Sequence, residues 1–156
     1  MSLAEHRTLV IERQLAASAR HAFRFWSDAA LKERWNACHP DWRVVEDAFD
    51  FRVGGAETKR WLTSDGSEQT FGARYFDIVP DRRIIYGFEM SFGGQRVSVS
   101  LATIELISEG ATTRMKYTEQ LSFLGGSDAL SQRLSGTEWG FDRLVEVIAA
   151  DGAVRH

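Results

Sequence analysis

The order of periodic segments predicts an α+β domain, with a curved antiparallel seven-stranded sheet closed over a long C-terminal helix. Three observations carry this reading. One strand-like segment is followed by two short helical ones. Six further segments then alternate with period two, punctuated by Gly- and Pro-marked turns. The chain ends in an apolar stripe at three- and four-residue steps, long enough for about six helical turns. The order is β-α-α-β6-α. A sheet with one apolar face needs a cover, and only the last helix is long enough to provide it.

Taken in order, residues 7–16 place Leu9, Ile11 and Leu15 among polar neighbours, the pattern of a first strand. Ser18 is positioned to cap a helix whose apolar side is Ala22, Phe23, Phe25 and Trp26. Asp28 is a second N-cap, opening a short helix over 29–36 with Leu31 and Trp35 at i, i+4. From about residue 42, Val45, Phe49, Phe51 and Val53 share one parity, and Gly54-Gly55 ends that strand. Residues 56–63 form the next strand, turned by Ser64-Asp65-Gly66. Residues 70–79 follow, with Phe71, Tyr75 and Val79 on one parity, and Pro80-Asp81 turns the chain again. Ile84, Tyr86, Phe88 and Met90 alternate cleanly. After Gly93-Gly94, Val97, Val99 and Leu101 are odd while Ile104 and Leu106 are even, which predicts a β-bulge near Ala102-Thr103. Thr113, Met115, Tyr117 and Leu121 alternate in the last strand. After Gly125-Gly126, Ser127 or Asp128 can cap the final helix, whose stripe is Leu130, Leu134, Thr137, Phe141, Leu144, Val145 and Ile148. Gly136 and Gly140 weaken that helix by roughly 1 kcal/mol each relative to Ala, which suggests a close approach to the sheet or a bend.

The bulk numbers fit one domain over 1–156, with its core over about 7–150. The chain has 156 residues, 44% hydrophobic and 26% charged, without repeats or low-complexity tracts. A net charge of −3 with scattered Lys and Arg argues against a nucleic-acid footprint, which needs a concentrated basic face. The single cysteine, Cys38, permits no intramolecular disulfide. No apolar signal core opens the chain, and no apolar run is long enough to span a membrane, so a cytoplasmic protein is expected.

No metal or cofactor is expected. The histidines are His6, His21, His39 and His156, and adjacent Cys38-His39 has no second pair at ligand spacing. Cys38 reads as a packing residue, and no nucleophile elbow is present. Among strand carboxylates, Glu57, Asp77, Glu89 and Glu119, Glu89 is expected to point outward. Glu119 shares parity with Met115, Tyr117 and Leu121 and is expected to point inward, either as an acid or base or paired with an Arg. The aromatics carry the positive case. Trp35, Phe49, Phe51, Trp61, Phe71, Tyr75, Tyr86, Phe88, Tyr117 and Phe141, with Met115 and Leu144, are expected to line a cavity between sheet and helix. The hydroxyls of Tyr75, Tyr86 and Tyr117 need partners when buried and could orient a ligand.

Five stretches, in order, resemble a known family. Ala17-Ser18-Ala19-Arg20-His21-Ala22-Phe23-Arg24-Phe25-Trp26 is similar to its opening helix, followed by Leu31-Lys32-Glu33-Arg34-Trp35. Asp50-Phe51-Arg52-Val53-Gly54-Gly55 resembles its D-x-R-x-G-G turn. Residues 72–86, containing Ile78-Val79-Pro80-Asp81 and Arg83-Ile84-Ile85-Tyr86, resemble its strand-turn-strand signature. Thr112-Thr113-Arg114-Met115 and Glu138-Trp139-Gly140 through Leu144 match its last strand and helix. The resemblance is to the SRPBCC (START-like, helix-grip) superfamily, in the bacterial branch related to the activator of heat shock protein 90 ATPase homologue.

The resemblance implies the helix-grip fold but no single activity, because the superfamily holds carriers, cyclases, lipid-transfer domains and co-chaperones. The leading expectation is binding of a small hydrophobic or aromatic molecule. A polyketide cyclase-like, dehydratase or hydrolase enzyme in the same cavity, using Glu119 or a Tyr for proton transfer, is the second. A stress-related co-chaperone-like interaction module is the third. A homodimer through an edge strand or the short helices is compatible with the pattern.

Overall fold

The computed structural model describes residues 4–36, 40–125 and 127–154. The readings made for Cys38, His39, Gly126 and His156, and the side-chain cap at Ser127 or Asp128, lie outside the described residues. The elements run β1 (Glu5–Leu15), α1 (Ala19–Ser27), α2 (Ala29–Trp35), β2 (Arg43–Phe49), β3 (Ala56–Leu62), β4 (Glu68–Val79), β5 (Arg83–Phe92), β6 (Gln95–Glu109), β7 (Thr112–Phe123) and α3 (Ser127–Val154). One antiparallel sheet has the order β1-β7-β6-β5-β4-β3-β2. Hairpins link β2 through β7 in sequence, and the two short helices carry the chain from one edge strand to the other. This is the expected helix-grip architecture.

The short helices form where capping chemistry starts them. Ser18 Oγ accepts from the His21 N–H at 3.2 Å, and Asp28 Oδ1 accepts from the Leu31 N–H at 3.1 Å. The Asp28 N–H also closes α1 on the Arg24 carbonyl at 2.9 Å, so one residue ends one helix and opens the next. Ala22, Phe23, Phe25 and Trp26 are all buried. Trp35 Nε1 donates to the Phe25 carbonyl at 2.7 Å, which locks α2 against α1.

The core lies between the inward residues of β1, β6 and β7, the two short helices, and Phe141, Leu144 and Ile148 of α3. The last helix lies nearest β1 and α2. A row of aromatic contacts ties these elements: Trp26 to Trp35 at 4.8 Å between ring centroids, and Tyr117 to Phe141 at 4.7 Å.

Four expectations need correction. The β6–β7 ladder runs without a register shift past Ala102-Thr103, so no bulge lies there. The inward residues of β6 are Ser98, Ser100, Ala102, Ile104 and Leu106, all even, while Val99 and Leu101 face solvent at 47% and 42% exposure. Apolarity misassigned the face because two inward positions are serines, one of which, Ser100, donates to the buried Glu119 carboxylate. In β2, the strand ends at Phe49 rather than at the glycines. Residues 50–55 turn back on β4: the Gly54 N–H donates to the Tyr75 carbonyl at 2.8 Å, and the Tyr75 N–H to the Gly55 carbonyl at 3.0 Å. Phe51 still packs on the core, but Val53 is exposed. In β4, a register shift between Tyr75 and Asp77 makes Phe76 an extra residue. The parity therefore flips, and Ile78 rather than Val79 packs on the core. Finally, a Cβ at Gly136 or Gly140 would meet nothing within 4 Å, so neither glycine serves a close approach to the sheet.

Candidate ligand site on the concave face

Cross-strand register arranges the inner face in rows. One row runs Tyr75, Tyr86, Ala102, Glu119 over β4, β5, β6 and β7. The next runs Phe49, Glu57, Ala73, Phe88, Ser100 and Leu121 from β2 to β7. A third runs Lys59, Phe71, Met90, Ser98 and Phe123. Burial is uneven along these rows. The members on β6 and β7 are buried, whereas Lys59, Phe71, Tyr86 and Met90 are only partly covered. The concave face is therefore sealed on the β7 side and less so over β3, β4 and β5.

Two ionic clusters sit within this surface. The first is centred on Glu119, which is fully buried. Its Oε2 accepts from Ser100 Oγ at 2.6 Å and from Arg133 Nη2 at 2.8 Å, and its Oε1 accepts from the Tyr117 hydroxyl at 2.6 Å. Arg133 Nη1 donates to Thr137 Oγ1 at 2.6 Å, and the guanidinium lies 5.4 Å from the Phe88 ring centre. A buried carboxylate with three donors, one of them a guanidinium, is held in one orientation.

The second cluster is centred on Glu57, also buried. Its Oε1 accepts from Lys32 Nζ at 2.6 Å and from the Tyr75 hydroxyl at 2.8 Å. Lys32 Nζ also lies 3.3 Å from the Tyr75 hydroxyl and 4.8 Å from the Phe49 ring centre. Burial lowers the Lys32 ammonium from its ordinary value, and Glu57 opposes that shift. Lys59 Nζ stands 3.9 Å from Glu57 Oε2.

The three tyrosines lie between the clusters. Tyr75 and Tyr86 rings are 5.6 Å apart. Burial is the first cause raising each phenol above its ordinary value of about 10. For Tyr75 the Glu57 carboxylate adds to it; for Tyr86 both Glu119 and Glu57 do. All three stay neutral and serve as hydrogen-bonding groups at ordinary pH.

Of the residues expected on this face, Trp35, Tyr75, Phe88, Met115, Tyr117, Phe141 and Leu144 are buried in the core cluster, with Phe49, Phe51, Phe71 and Tyr86 partly buried against it. Trp61 stands outside that cluster, one row further along β3 beside Gln69. Glu119 points inward and is paired with an Arg; Glu89 is exposed. Sequence reasoning missed Lys32, Lys59, Ser98, Ser100 and Arg133, and placed Glu57 only in its strand. Lys32 carried one signal, its position three residues before Trp35 on the buried side of α2. Arg133 carried another, four residues before Thr137 of the stripe.

The convex face holds two open depressions, of about 620 and 390 Å³. Phe76 borders both, with its ring laid over Gly87, where a Cβ would come within 2.8 Å of the ring edge. Val99 also lines both, and Leu101 lines the larger.

The family model described as "Activator of Hsp90 ATPase homolog 1-like protein" matches residues 16–150. The chain belongs to this family. Its fold relatives agree. A solved structure of an uncharacterized protein from Rhizobium leguminosarum is 43% identical, covers 96% of this chain and 99% of its own, and superposes with a TM-score of 0.89. A Rhizobium loti protein is 37% identical over 93% of this chain and 99% of its own, with a TM-score of 0.85. A Chromobacterium violaceum protein is 25% identical over 92% and 96%, with a TM-score of 0.65. No curated protein matches the chain. Membership of the SRPBCC superfamily's activator-like branch, expected from the five stretches, holds.

Proposed function

We propose that this chain binds a small hydrophobic or aromatic molecule on the concave face, between the sheet and α3. One observation carries the reading: Phe71, Tyr86 and Met90 stay partly uncovered on a face whose β6 and β7 residues are buried. Rings and a thioether left at the edge of a core, beside buried hydrogen-bonding groups, match the composition of a small-molecule site. Apolar burial would supply affinity, at about 25 cal/mol per Å² before the costs of association. The tyrosines and the two ionic clusters would orient the ligand. The reading needs no membrane and no nucleic acid, and it takes the protein as cytoplasmic; none of the described helices is long and apolar enough to cross a membrane. Glu119, already holding three donors, fits an orienting anion better than a proton carrier.

Native mass spectrometry of freshly purified protein, set against a denatured sample, tests this directly. The expected result is a reproducible small-molecule adduct that disappears on denaturation. An adduct-free spectrum, together with no response to added aromatic probes, would end the proposal.

One observation favours a second reading, a protein-interaction module of the kind the family's name suggests. Phe76, Val99 and Leu101 are exposed together around the larger convex depression, and exposed apolar patches mark interaction surfaces. Titration of the chain into purified Hsp90, with Phe76→Ser as the control, tests it. Binding that the substitution abolishes supports this second reading, and unaltered or absent binding removes it.

A further inference from the structure

We infer that the ligand of the concave face is a two-ended aromatic molecule, with a hydrogen-bond donor at Glu57 and an acceptor at Arg133 and Ser98. This rests on the proposed concave-face binding and specifies its chemistry.

The inference starts from polar atoms that the fold buries without a hydrogen-bond partner. Among the described residues, Glu57 Oε2, Ser98 Oγ and Arg133 Nε have no hydrogen-bond partner. Such groups are costly to bury, so an atom left this way in a native interior calls for an occupant. Their chemistry is directional. Glu57 has Lys32 Nζ on one oxygen at 2.6 Å and Lys59 Nζ at 3.9 Å from the other. A glutamate carboxylate only accepts, so the oxygen without a hydrogen-bond partner fits an N–H or O–H. Arg133 has the opposite character. Its terminal nitrogens are used by Glu119 and Thr137, and the remaining Nε–H can only donate. Ser100 and Arg133 both donate to Glu119 Oε2, and Ser98, fully buried two residues from Ser100 on the same inward face, adds a hydroxyl on that side of the sheet. That end fits a carbonyl or carboxylate oxygen.

What lies between the two ends is apolar and flat. Glu57 and Ser100 share one row, separated by Ala73 and Phe88, and Phe71 and Met90 occupy the next row. Three strand spacings put the two ends roughly 14 Å apart at the backbone. The side chains of a concave face converge, so the gap between polar tips is shorter and suits one ring with a short arm. Phe71 and Phe88, with ring centroids 5.3 Å apart, and the small Ala73 make up the surface between the ends. A long hydrocarbon chain would leave all three polar atoms unpaired, which sets this ligand class apart from a simple lipid.

Isothermal titration of the full chain with four probes tests the inference: 4-hydroxycinnamate, cinnamate, 4-vinylphenol and styrene. They carry both ends, the acceptor only, the donor only, and neither. The two-ended probe is expected to bind about tenfold tighter than either single-ended one, and each of those tighter than styrene. Ser98→Ala breaks no protein hydrogen bond, so it keeps the test readable even if Glu57→Gln fails to fold. It should remove the preference for cinnamate over styrene and leave 4-vinylphenol unchanged; Glu57→Gln should do the reverse. Equal binding of all four overturns the two-ended reading while leaving concave-face binding standing. A preference that neither substitution alters places the polar ends elsewhere and also overturns it. If none of the four binds, the inference fails, and the native mass spectrum then decides separately whether the face binds anything.

Discussion

Arg133, in the second turn of α3, reaches back to Glu119 on β7, and the two meet at 2.8 Å with the carboxylate fully enclosed. The pair fixes the helix on the sheet at the point where the concave face is sealed. Removing either partner leaves an uncompensated buried charge or donor. Arg133→Met is therefore expected to cost about 3–5 kcal/mol, whereas replacing both members with apolar residues should be close to neutral. Urea unfolding of both single variants and the double variant measures this. Additive losses in the double variant would show that the pair is not coupled.

The Lys32–Glu57 pair holds α2 on β3 in the same way, at 2.6 Å. Lys32→Met should destabilise the chain by about 3–5 kcal/mol, and the loss should be recovered largely by a second change, Glu57→Leu. Ser100→Ala, which removes one donor from Glu119, should cost less, about 1–3 kcal/mol. Chemical denaturation gives both values. A Lys32 variant as stable as the wild type would mean that the ammonium contributes nothing net.

The chain has three tyrosines, and all three are raised above their ordinary value by burial first. With the folded pKa above the unfolded one, their contribution is complete below about pH 10 and is lost as pH climbs from there toward the folded values. Lys32 has the opposite sign. Its folded value is lowered, so the unfolded chain binds the extra proton up to 10.5, and stability rises with pH over that window. The expected profile is a steep loss of stability once pH passes about 10. Tyrosinate absorbance should stay flat near pH 10 and appear only with unfolding. A titration of any tyrosine in the folded protein near its ordinary value would contradict the buried network.

Gly55 is held by its surroundings. A Cβ there would overlap the Asp50 carbonyl oxygen, a backbone atom and not the end of a flexible side chain. Gly55→Ala should cost about 3 kcal/mol or more, because the loop that pairs with Tyr75 must move. Gly136 makes the contrast. With nothing within 4 Å of its added Cβ, Gly136→Ala should stabilise α3 by up to about 1 kcal/mol. Thermal melts of the two variants should move in opposite directions.

The fold was legible in the sequence wherever the cause is local. Ser18 and Asp28 cap their helices as short-range chemistry requires, and the alternation of Ile84, Tyr86, Phe88 and Met90 faces the way periodicity says. The inward turn of Glu119 followed from its parity alone. The rest depended on partners that no window of sequence contains. Ser100 points inward onto the buried Glu119 carboxylate, Ser98 shares its parity, and Phe76 bulges outward where β4 meets both the 50–55 loop and β5. Lys32 is buried because Glu57, 25 residues away, meets its charge; Arg133 is held by Glu119 across another element boundary. Periodicity reports the average polarity of a face. Which polar groups that face can bury is decided by the charges and donors that distant strands and helices bring to it, and only the tertiary structure supplies those.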